Sequence, residues 1–199
     1  MNCRKFIAFF SLLILIPFLF FVCLLILSFD GYPFLFVQDR VGRSGRIFRI
    51  YKFRTMSSFS SSSGDLVTSS LDSRVTRLGS FLRRFKVDEL PQLFNVLNGS
   101  MRFVGPRPEV PRYYTFYSAE YKTMYESTLP GITSPSTLLL LDEEALLSSI
   151  QTEYGLSATD AYTAHLIPLK EKLSLSHDFE PQGSISLVFR TIFRILCRR

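Results

Sequence analysis

The hydrophobic and polar positions of this chain follow three different patterns. Residues 6–29 are almost entirely apolar, and two serines and a cysteine are their only polar side chains. Residues 73–86 and 89–99 place apolar side chains at helical spacing, and 31–56 contain two apolar and aromatic stretches separated by glycines. These patterns predict a mostly helical α+β protein with an apolar N-terminal segment and one short β-hairpin.

The apolar N-terminal run is long enough to be a membrane segment. A straight helix over these residues would extend about 36 Å and cross a hydrocarbon core of about 30 Å. Pro17 divides the run into limbs of 11 and 12 residues and predicts a kink or a break. Basic residues lie before the run and again at 40–54, which favours two cytoplasmic ends. We therefore predict a re-entrant helix-break-helix anchor over 1–30; a single-pass anchor with a tolerated proline is the alternative.

Residues 31–199 are predicted to form one small cytoplasmic domain, because 199 residues leave little room for a second independent core. A serine-rich stretch at 57–65 has no hydrophobic periodicity and is predicted to be a loop. The segment 184–199 reads as an amphipathic helix with one apolar face and flanking arginines, which is typical of a membrane surface. Packing of the same helix on the domain core is the alternative interpretation.

Charge is distributed unevenly along the chain. Residues 1–112 carry 16 Lys and Arg against 7 Asp and Glu, a net charge of +9, whereas 113–199 carry 7 against 10, a net charge of −3. A basic half that adjoins a membrane segment predicts anionic partners such as lipid headgroups, phosphates or nucleic acid.

An acid pair stands out in this basic half. The helix over 73–86, with Ser73 available as its cap, leads directly into Asp88 and Glu89, and Pro91 then suits the first turn of the next helix. The helix dipole and the nearby arginines predict a depressed pKa for Asp88, so that it stays ionised. An ionised carboxylate suits a nucleophile or a metal ligand, and a plain helix cap is the alternative.

Phosphoryl transfer is one chemistry that such a pair can perform. Carboxylates attack phosphorus, and the charge that develops on the phosphoryl oxygens needs cationic partners. The chain offers four candidate cations: Lys52, Arg54, Arg83 and Arg107.

Three stretches carry a family resemblance: "VQDRVGRSGRIFRIYKFRTM", "TRLGSFLRRFKVDELPQLFNVLNGSMRFVGPRPEVPRYY" and "LPGIT", which together cover about 34–133. They resemble the bacterial sugar transferases, monotopic phosphoglycosyl transferases that start the assembly of cell-envelope polysaccharides. The resemblance implies a magnesium-dependent enzyme at the cytoplasmic face of the bacterial inner membrane. Its substrates would be a UDP-sugar and polyprenyl (undecaprenyl) phosphate, it would contact membrane lipids, and no nucleic-acid partner is expected.

The resemblance also implies roles for individual residues. The aspartate, Asp88, would attack the sugar-linked phosphate and release UMP, and polyprenyl phosphate would then attack the phosphosugar-enzyme. Glu89 would act in proton transfer or, with Asp88, bind Mg²⁺. The implied phosphate and nucleotide ligands are Lys52, Arg54, Arg83, Arg107, Pro106 and Pro108. Pro17 would mark the break of the re-entrant membrane helix.

The chain departs from the family pattern at several positions. It has Ile7 where an Asp is common, Ile16 before the membrane proline, and Ser100 and Arg102 in the segment after the second helix. The usual continuation after "PGIT" is also missing, so the sugar-recognition region, 134–182, cannot be interpreted from relatives.

Two other interpretations stay open at this point. One is a non-catalytic, membrane-tethered basic module that binds anionic lipid, nucleic acid or a partner protein; the other is a transferase that has lost activity. The sequence leaves the sugar, the glycan pathway and the oligomeric state open.

Overall fold

A computed structural model describes residues 3–57, 67–69, 72–177 and 185–197. It confirms the mostly helical α+β class. The helices within these residues are α1 Cys3–Phe29, α2 Arg77–Arg84, α3 Leu93–Asn98, α4 Pro111–Tyr114, α5 Ala119–Ser127, α6 Pro135–Leu139, α7 Glu143–Tyr154, α8 Ala158–Ala161, α9 Ile167–His177 and α10 Ile185–Leu196. The strands are β1 Leu35–Val41, β2 Ile47–Phe53, β3 Arg102–Val104 and β4 Gly131–Thr133.

Three shorter helical segments complete the secondary structure of the described residues. They are two 3₁₀ helices, Arg43–Gly45 and Val87–Gln92, and one π-helix, Tyr162–Leu166. Apart from Ser57, the predicted serine-rich loop lies outside the described residues.

The N-terminal helix α1 continues through Pro17 over its 27 residues, so the predicted break at Pro17 is wrong, whereas the kink that Pro17 also predicts stays a prediction. The buried residues of α1 recur along one face on both sides of the proline; they are Ala8, Leu12, Leu19, Val22 and Ile26. Because both limbs pack on the same domain surface, the loss of one backbone donor at Pro17 does not end the helix.

Most of the remaining α1 surface is apolar and exposed, including several phenylalanines. Among the described residues, α1 is the one helix that is long and apolar enough to cross a membrane. The re-entrant topology of residues 1–30 stays a prediction.

The predicted hairpin is confirmed. Strands β1 and β2 pair in antiparallel register, from Leu35 opposite Phe53 to Val41 opposite Ile47. The connecting turn holds Ser44 at φ 58° and Gly45 at φ 70°, the left-handed region that glycine adopts without steric cost.

Helix α2 starts later than predicted. Its N-cap is Thr76, whose hydroxyl accepts a hydrogen bond from the Gly79 N–H at 2.8 Å, so the prediction of Ser73 as the cap is wrong. The reason is local, because the Asp72 carboxylate accepts the Arg74 N–H at 3.0 Å and holds this segment in a turn.

The second sheet joins distant parts of the chain. Strands β3 and β4 pair in parallel, and beside them a Cβ on Gly131 would collide with the Gly105 backbone and a Cβ on Gly105 with the Leu129 carbonyl. This contact fixes the proline-rich segment after β3 against the domain.

Two hydrophobic clusters build most of the core. One lies among α4, α5, α7, α8 and the π-helix and is rich in tyrosine, with Tyr113, Tyr121 and Tyr125 almost fully buried. The other places the inner face of α1 against β2, α2 and α3, with Phe53 and Leu82 at its centre. Asp88 and Glu89 therefore lie on a segment between α2 and α3, and both of these helices pack against α1.

The C-terminal helix α10 covers most of the predicted segment 184–199 and exposes its apolar side. Phe189, Ile192, Phe193 and Leu196 are all exposed, so the alternative in which this face packs on the core is wrong. The opposite side contacts the second sheet through Thr191, whose hydroxyl lies 3.0 Å from the Thr133 hydroxyl. Its location at a membrane surface stays a prediction.

Candidate active site

The acid pair lies where the prediction put it, in the first turn of a helix, although this turn is 3₁₀. Lys86 separates α2 from this turn and adopts the left-handed conformation, with φ 54° and ψ 22°. The sharp reversal directs Asp88 and Glu89 inward, and both side chains are buried. Helix α3 follows directly and ends at Gly99, as the sequence predicted.

Asn95 ties this acid-bearing segment to the hairpin. Its buried side chain accepts the Tyr51 N–H at 3.1 Å and donates to the Arg49 carbonyl at 2.7 Å. These two bonds satisfy the Tyr51 N–H and the Arg49 carbonyl at the free edge of β2. They also bring Lys52, which follows Tyr51, alongside the acid pair.

Glu89 is the anchor of the charged cluster. Its Oε1 accepts hydrogen bonds from the Lys52 ammonium at 2.8 Å and from the Arg107 guanidinium at 2.9 Å. Burial alone would raise the pKa of Glu89, but Arg107 and Lys52 outweigh it and hold this pKa well below its usual range. Glu89 in turn raises the pKa of Arg107, whereas burial lowers that of Lys52.

Asp88 has a different environment from its neighbour. Within the described part of the chain, its buried Oδ1 has no hydrogen-bond partner. Burial raises the pKa of Asp88 above its ordinary value, and Lys52 opposes this shift only in part. The prediction of a depressed pKa is therefore wrong for Asp88 and fits Glu89, because Glu89 takes both nearby cations.

Both carboxylates open onto a cavity of about 1060 Å³. Its walls come from the hairpin, α2, the proline-rich segment and the start of α7. The volume is in the upper range of small-molecule sites, so the cavity can admit a nucleotide-sugar.

Arg83 reaches this cavity from α2. Its Nε donates to the Thr55 hydroxyl at 2.8 Å, and its Nη1 donates to Glu144 of α7 at 2.8 Å. Gly79 permits the approach, because a Cβ there would collide with the Thr55 backbone. The structure thus brings Arg83 to the cavity wall, but its present partner is Glu144 and not the acid pair.

Arg54 lines the same cavity and is occupied elsewhere. Its guanidinium donates to the carbonyl oxygens of Asp30, Gly31 and Tyr32, just after α1, at 2.5–3.0 Å. These bonds tie the end of α1 to β2. A role for Arg54 in phosphate binding stays a prediction, and the observed contacts give it a structural one.

Pro106 and Pro108 hold Arg107 in place through their backbones. The Pro106 carbonyl accepts the Gly131 N–H at 2.9 Å, and the Pro108 carbonyl accepts from the Arg40 guanidinium at 2.9 Å. Arg107 lies between two fixed points and is directed at Glu89. Contact of the two prolines with a nucleotide stays a prediction.

The sequence did not predict a second charged cluster that lies in the cavity wall. The buried Lys170 ammonium lies 2.9 Å from Glu109, 3.3 Å from Glu143 and 2.7 Å from the Tyr162 hydroxyl. Burial alone would lower the pKa of Lys170, but Glu109 and Glu143 raise it. Glu109 directly follows the "GPRP" motif, and this position could have indicated it from the sequence. Lys170 lies in the variable region, 134–182, where no motif indicates it.

The residues at the acid pair fit a magnesium ion. No group of three or more His, Cys, Asp and Glu side chains suited to a metal occurs among the described residues. Mg²⁺ usually needs only one or two carboxylates together with substrate phosphates and water. Of the two residues, Asp88 has the carboxylate with fewer contacts, because its Oδ1 has no partner among the described residues, whereas two cations already hold the Glu89 Oε1.

Comparison with known proteins gives matches over most of the chain. A family model described as bacterial sugar transferase matches residues 3–165. An N-acetylgalactosaminephosphotransferase of Aeromonas hydrophila, which by its name acts on UDP-N-acetylgalactosamine and undecaprenyl phosphate, is 39% identical over 172 residues, 82% of this chain and 36% of the relative.

Two further relatives match the central region. The exopolysaccharide production protein PSS of Rhizobium leguminosarum bv. phaseoli is 50% identical over 98 residues, 49% of each chain. An undecaprenyl-phosphate glucose phosphotransferase of Komagataeibacter xylinus is 48% identical over 102 residues, 51% of this chain and 19% of the relative. The chain spans from 19% to 52% of the length of the curated relatives it matches.

Proposed function

Since the chain belongs to the bacterial sugar transferase family, we propose that it transfers a sugar 1-phosphate from a UDP-sugar to undecaprenyl phosphate. The observation that carries this proposal is the buried, unpartnered Oδ1 of Asp88 at the wall of a large cavity. Beside it, Lys52 and Arg107 are fixed on Glu89. A carboxylate with a free oxygen next to preorganised cations is what attack on phosphorus requires.

In the first step, the Asp88 carboxylate attacks the sugar-linked phosphorus of the donor. A bond forms between Oδ1 and phosphorus, and the phosphoanhydride bond breaks, so that UMP leaves with the bridging oxygen. The acyl phosphate carries one negative charge and UMP carries two, which equals the charge of the carboxylate and the donor together. The step therefore needs no proton.

In the second step, an oxygen of undecaprenyl phosphate attacks the same phosphorus. The new phosphoanhydride bond replaces the acyl phosphate bond, and Asp88 returns as a carboxylate. The product is an undecaprenyl-diphosphate sugar, which would start the synthesis of a cell-envelope polysaccharide or glycoconjugate.

The remaining groups of the site act through charge and position. Arg107 and Lys52 are held by Glu89 within the cavity wall, where they offset charge that develops on the phosphoryl oxygens. Asp88 and the second oxygen of Glu89 would hold a magnesium ion, which neutralises diphosphate charge when bound. Arg83 would exchange its contact with Glu144 for a donor phosphate.

The exposed apolar surfaces suit a lipid acceptor. The family and α1 mark the chain as membrane-associated. A re-entrant α1 and an interfacial α10 would keep the cavity at the cytoplasmic face of the inner membrane, where a soluble nucleotide-sugar and a membrane-bound phosphate can meet. The names of the relatives favour N-acetylgalactosamine or glucose as the transferred sugar.

The deciding experiment is UMP release by the detergent-solubilised full chain. The protein is incubated with Mg²⁺, undecaprenyl phosphate and each of UDP-N-acetylgalactosamine, UDP-glucose, UDP-galactose and UDP-N-acetylglucosamine. We expect one donor to give UMP and a lipid-linked diphosphate sugar, and Asp88→Asn to give neither. Full turnover by Asp88→Asn would exclude the mechanism.

The same assay separates the proposal from its rivals. Omission of the acceptor should leave a burst of about one UMP per protein, because the phosphosugar stays on Asp88. No turnover with any donor, together with salt-sensitive retention on a polynucleotide, would favour a non-catalytic basic module. No turnover and no such retention would favour a transferase that has lost activity.

A further inference from the structure

Most cations in the cavity wall already have partners. Carboxylates hold Lys52, Arg74, Arg83, Arg107 and Lys170, and backbone carbonyls hold Arg40 and Arg54. Lys86 is different, because no described residue forms a hydrogen bond or an ion pair with its ammonium group. Arg77 and Arg84 also lack carboxylate partners, but both are exposed, whereas Lys86 is half-buried.

The backbone places Lys86 two residues before Asp88. It adopts the left-handed conformation that ends α2 and starts the 3₁₀ turn carrying Asp88 and Glu89. Glycine or asparagine adopts this conformation with less steric cost than lysine. The chain therefore holds a long cationic side chain at a position where the backbone favours a small one.

The charges around Lys86 indicate what its ammonium group can bind. Asp88 and Glu89 are offset by Lys52 and Arg107, so these four groups sum to zero net charge. Lys86 is the N-cap of the turn that carries both carboxylates, and it lines the same cavity as Asp88 and Glu89. Its ammonium adds a positive charge beside these four groups, and it has no partner among the described residues to leave when an anion arrives.

We propose that Lys86 binds the phosphoryl oxygens of the donor diphosphate while the sugar-linked phosphorus is transferred to Asp88. This role rests on the proposed function and adds a fifth cation to those that the sequence indicated. An ammonium on a flexible stem can follow the phosphorus from the donor to Asp88, which the guanidinium of Arg107, fixed on Glu89, cannot do.

Substitutions at this position separate charge from backbone strain. Lys86→Asn removes the charge and tolerates the left-handed backbone, so its thermal midpoint should equal or exceed that of the native chain while kcat/KM for UMP release falls about 100-fold. Lys86→Arg keeps the charge and should stay within about tenfold of the native rate. Ser44→Gly relieves the other left-handed non-glycine residue of the described part of the chain, and Lys172→Asn removes an exposed charge on α9; both should leave kcat/KM unchanged.

A binding measurement tests Lys86 without turnover. Calorimetry with UDP and Mg²⁺ on the full chain carrying Asp88→Asn, with and without Lys86→Asn, should show about tenfold weaker UDP binding in the double variant, the effect of one charge-assisted hydrogen bond. Equal UDP affinity and equal UMP release for Lys86→Asn and the native chain would overturn the inference. Loss of UDP affinity in a protein that releases no UMP would overturn the proposed transfer and keep Lys86 as a diphosphate ligand.

Discussion

Two buried charged clusters share one cavity wall and differ in how fully they are paired. Around Lys170, the ammonium nitrogen lies within 3.3 Å of oxygens of Glu109, Glu143 and Tyr162. Around the acid pair, Glu89 takes both cations and Asp88 keeps one oxygen without a partner. Because the charges around Lys170 are all paired, we interpret this cluster as structural support. The unpartnered oxygen of Asp88 is available to a ligand.

The difference in pairing between the two clusters affects the stability of the protein. A buried charge is tolerated when its partners offset the loss of hydration, and an unpaired polar atom is costly. Chains keep such atoms mainly at functional sites, where a ligand supplies the missing contact. Stability and activity should therefore respond in opposite ways to changes in the two clusters.

The largest effect is expected at Asp88. Asp88→Asn should lower UMP release by at least about 1000-fold, because the nucleophile is lost. Its thermal midpoint should equal or exceed that of the native chain, since the substitution removes a carboxylate that burial disfavours. Asp39→Asn, at an exposed site on the hairpin, is the matched control. A strongly destabilised Asp88→Asn would mean that Asp88 supports the fold.

The Lys170 cluster should respond in the opposite way. Lys170→Met leaves the buried Glu109 and the half-buried Glu143 without their cation and should lower the free energy of unfolding by about 3–5 kcal/mol. Denaturant unfolding in detergent measures this change, with Lys172→Met on the same helix as the exposed control. Native stability combined with lost turnover would give Lys170 a direct role in the reaction.

The pH dependence of UMP release tests the difference in pKa between Asp88 and Glu89. Asp88 must be ionised to attack, and burial raises its pKa, so the acid limb of kcat/KM should lie above the ordinary aspartate value of about 3.9. Glu89, whose pKa is depressed, stays ionised throughout that limb. A limb at or below the ordinary value would contradict the raised pKa of Asp88.

The smallest effect is expected at the edge of the cavity. Glu144 holds Arg83 but is 43% exposed, and such ion pairs contribute at most about 1 kcal/mol. Glu144→Gln should lower the donor KM by no more than about threefold, because it removes a competitor for Arg83, and it should leave kcat unchanged. Glu153→Gln, exposed on the same helix, should change neither. A raised KM would mean that Glu144 positions Arg83 for the donor.

The sequence predicted the parts of the site that are local in the chain. The acid pair, its place in a first helical turn and the rigid setting of Arg107 follow from adjacent residues and prolines. Lys52 and Arg54 are two positions apart, and the structure separates their roles because β2 ends at Phe53 and Arg54 turns toward the carbonyls after α1. Such a difference depends on where a strand ends, which is the least predictable property of an element.

Long-range packing explains what the sequence did not predict. The pKa of Asp88 depends on which carboxylate captures Lys52 and Arg107, and this is decided by the register between the hairpin and α3. Lys170 meets Glu109 only after the variable region folds over the cavity. The continuity of α1 through Pro17 depends on the shared surface beneath both limbs.

The inner face of α1 has a practical consequence for work with this protein. Because this helix covers Phe53, Leu82 and Leu93, a truncated chain that starts at residue 31 would present that apolar surface to water. It would also lose the Asp30 carbonyl, one of the three carbonyls that accept hydrogen bonds from the Arg54 guanidinium. Soluble fragments made by deletion of the anchor should therefore aggregate, and the anchor is better regarded as one wall of the domain than as a removable tether.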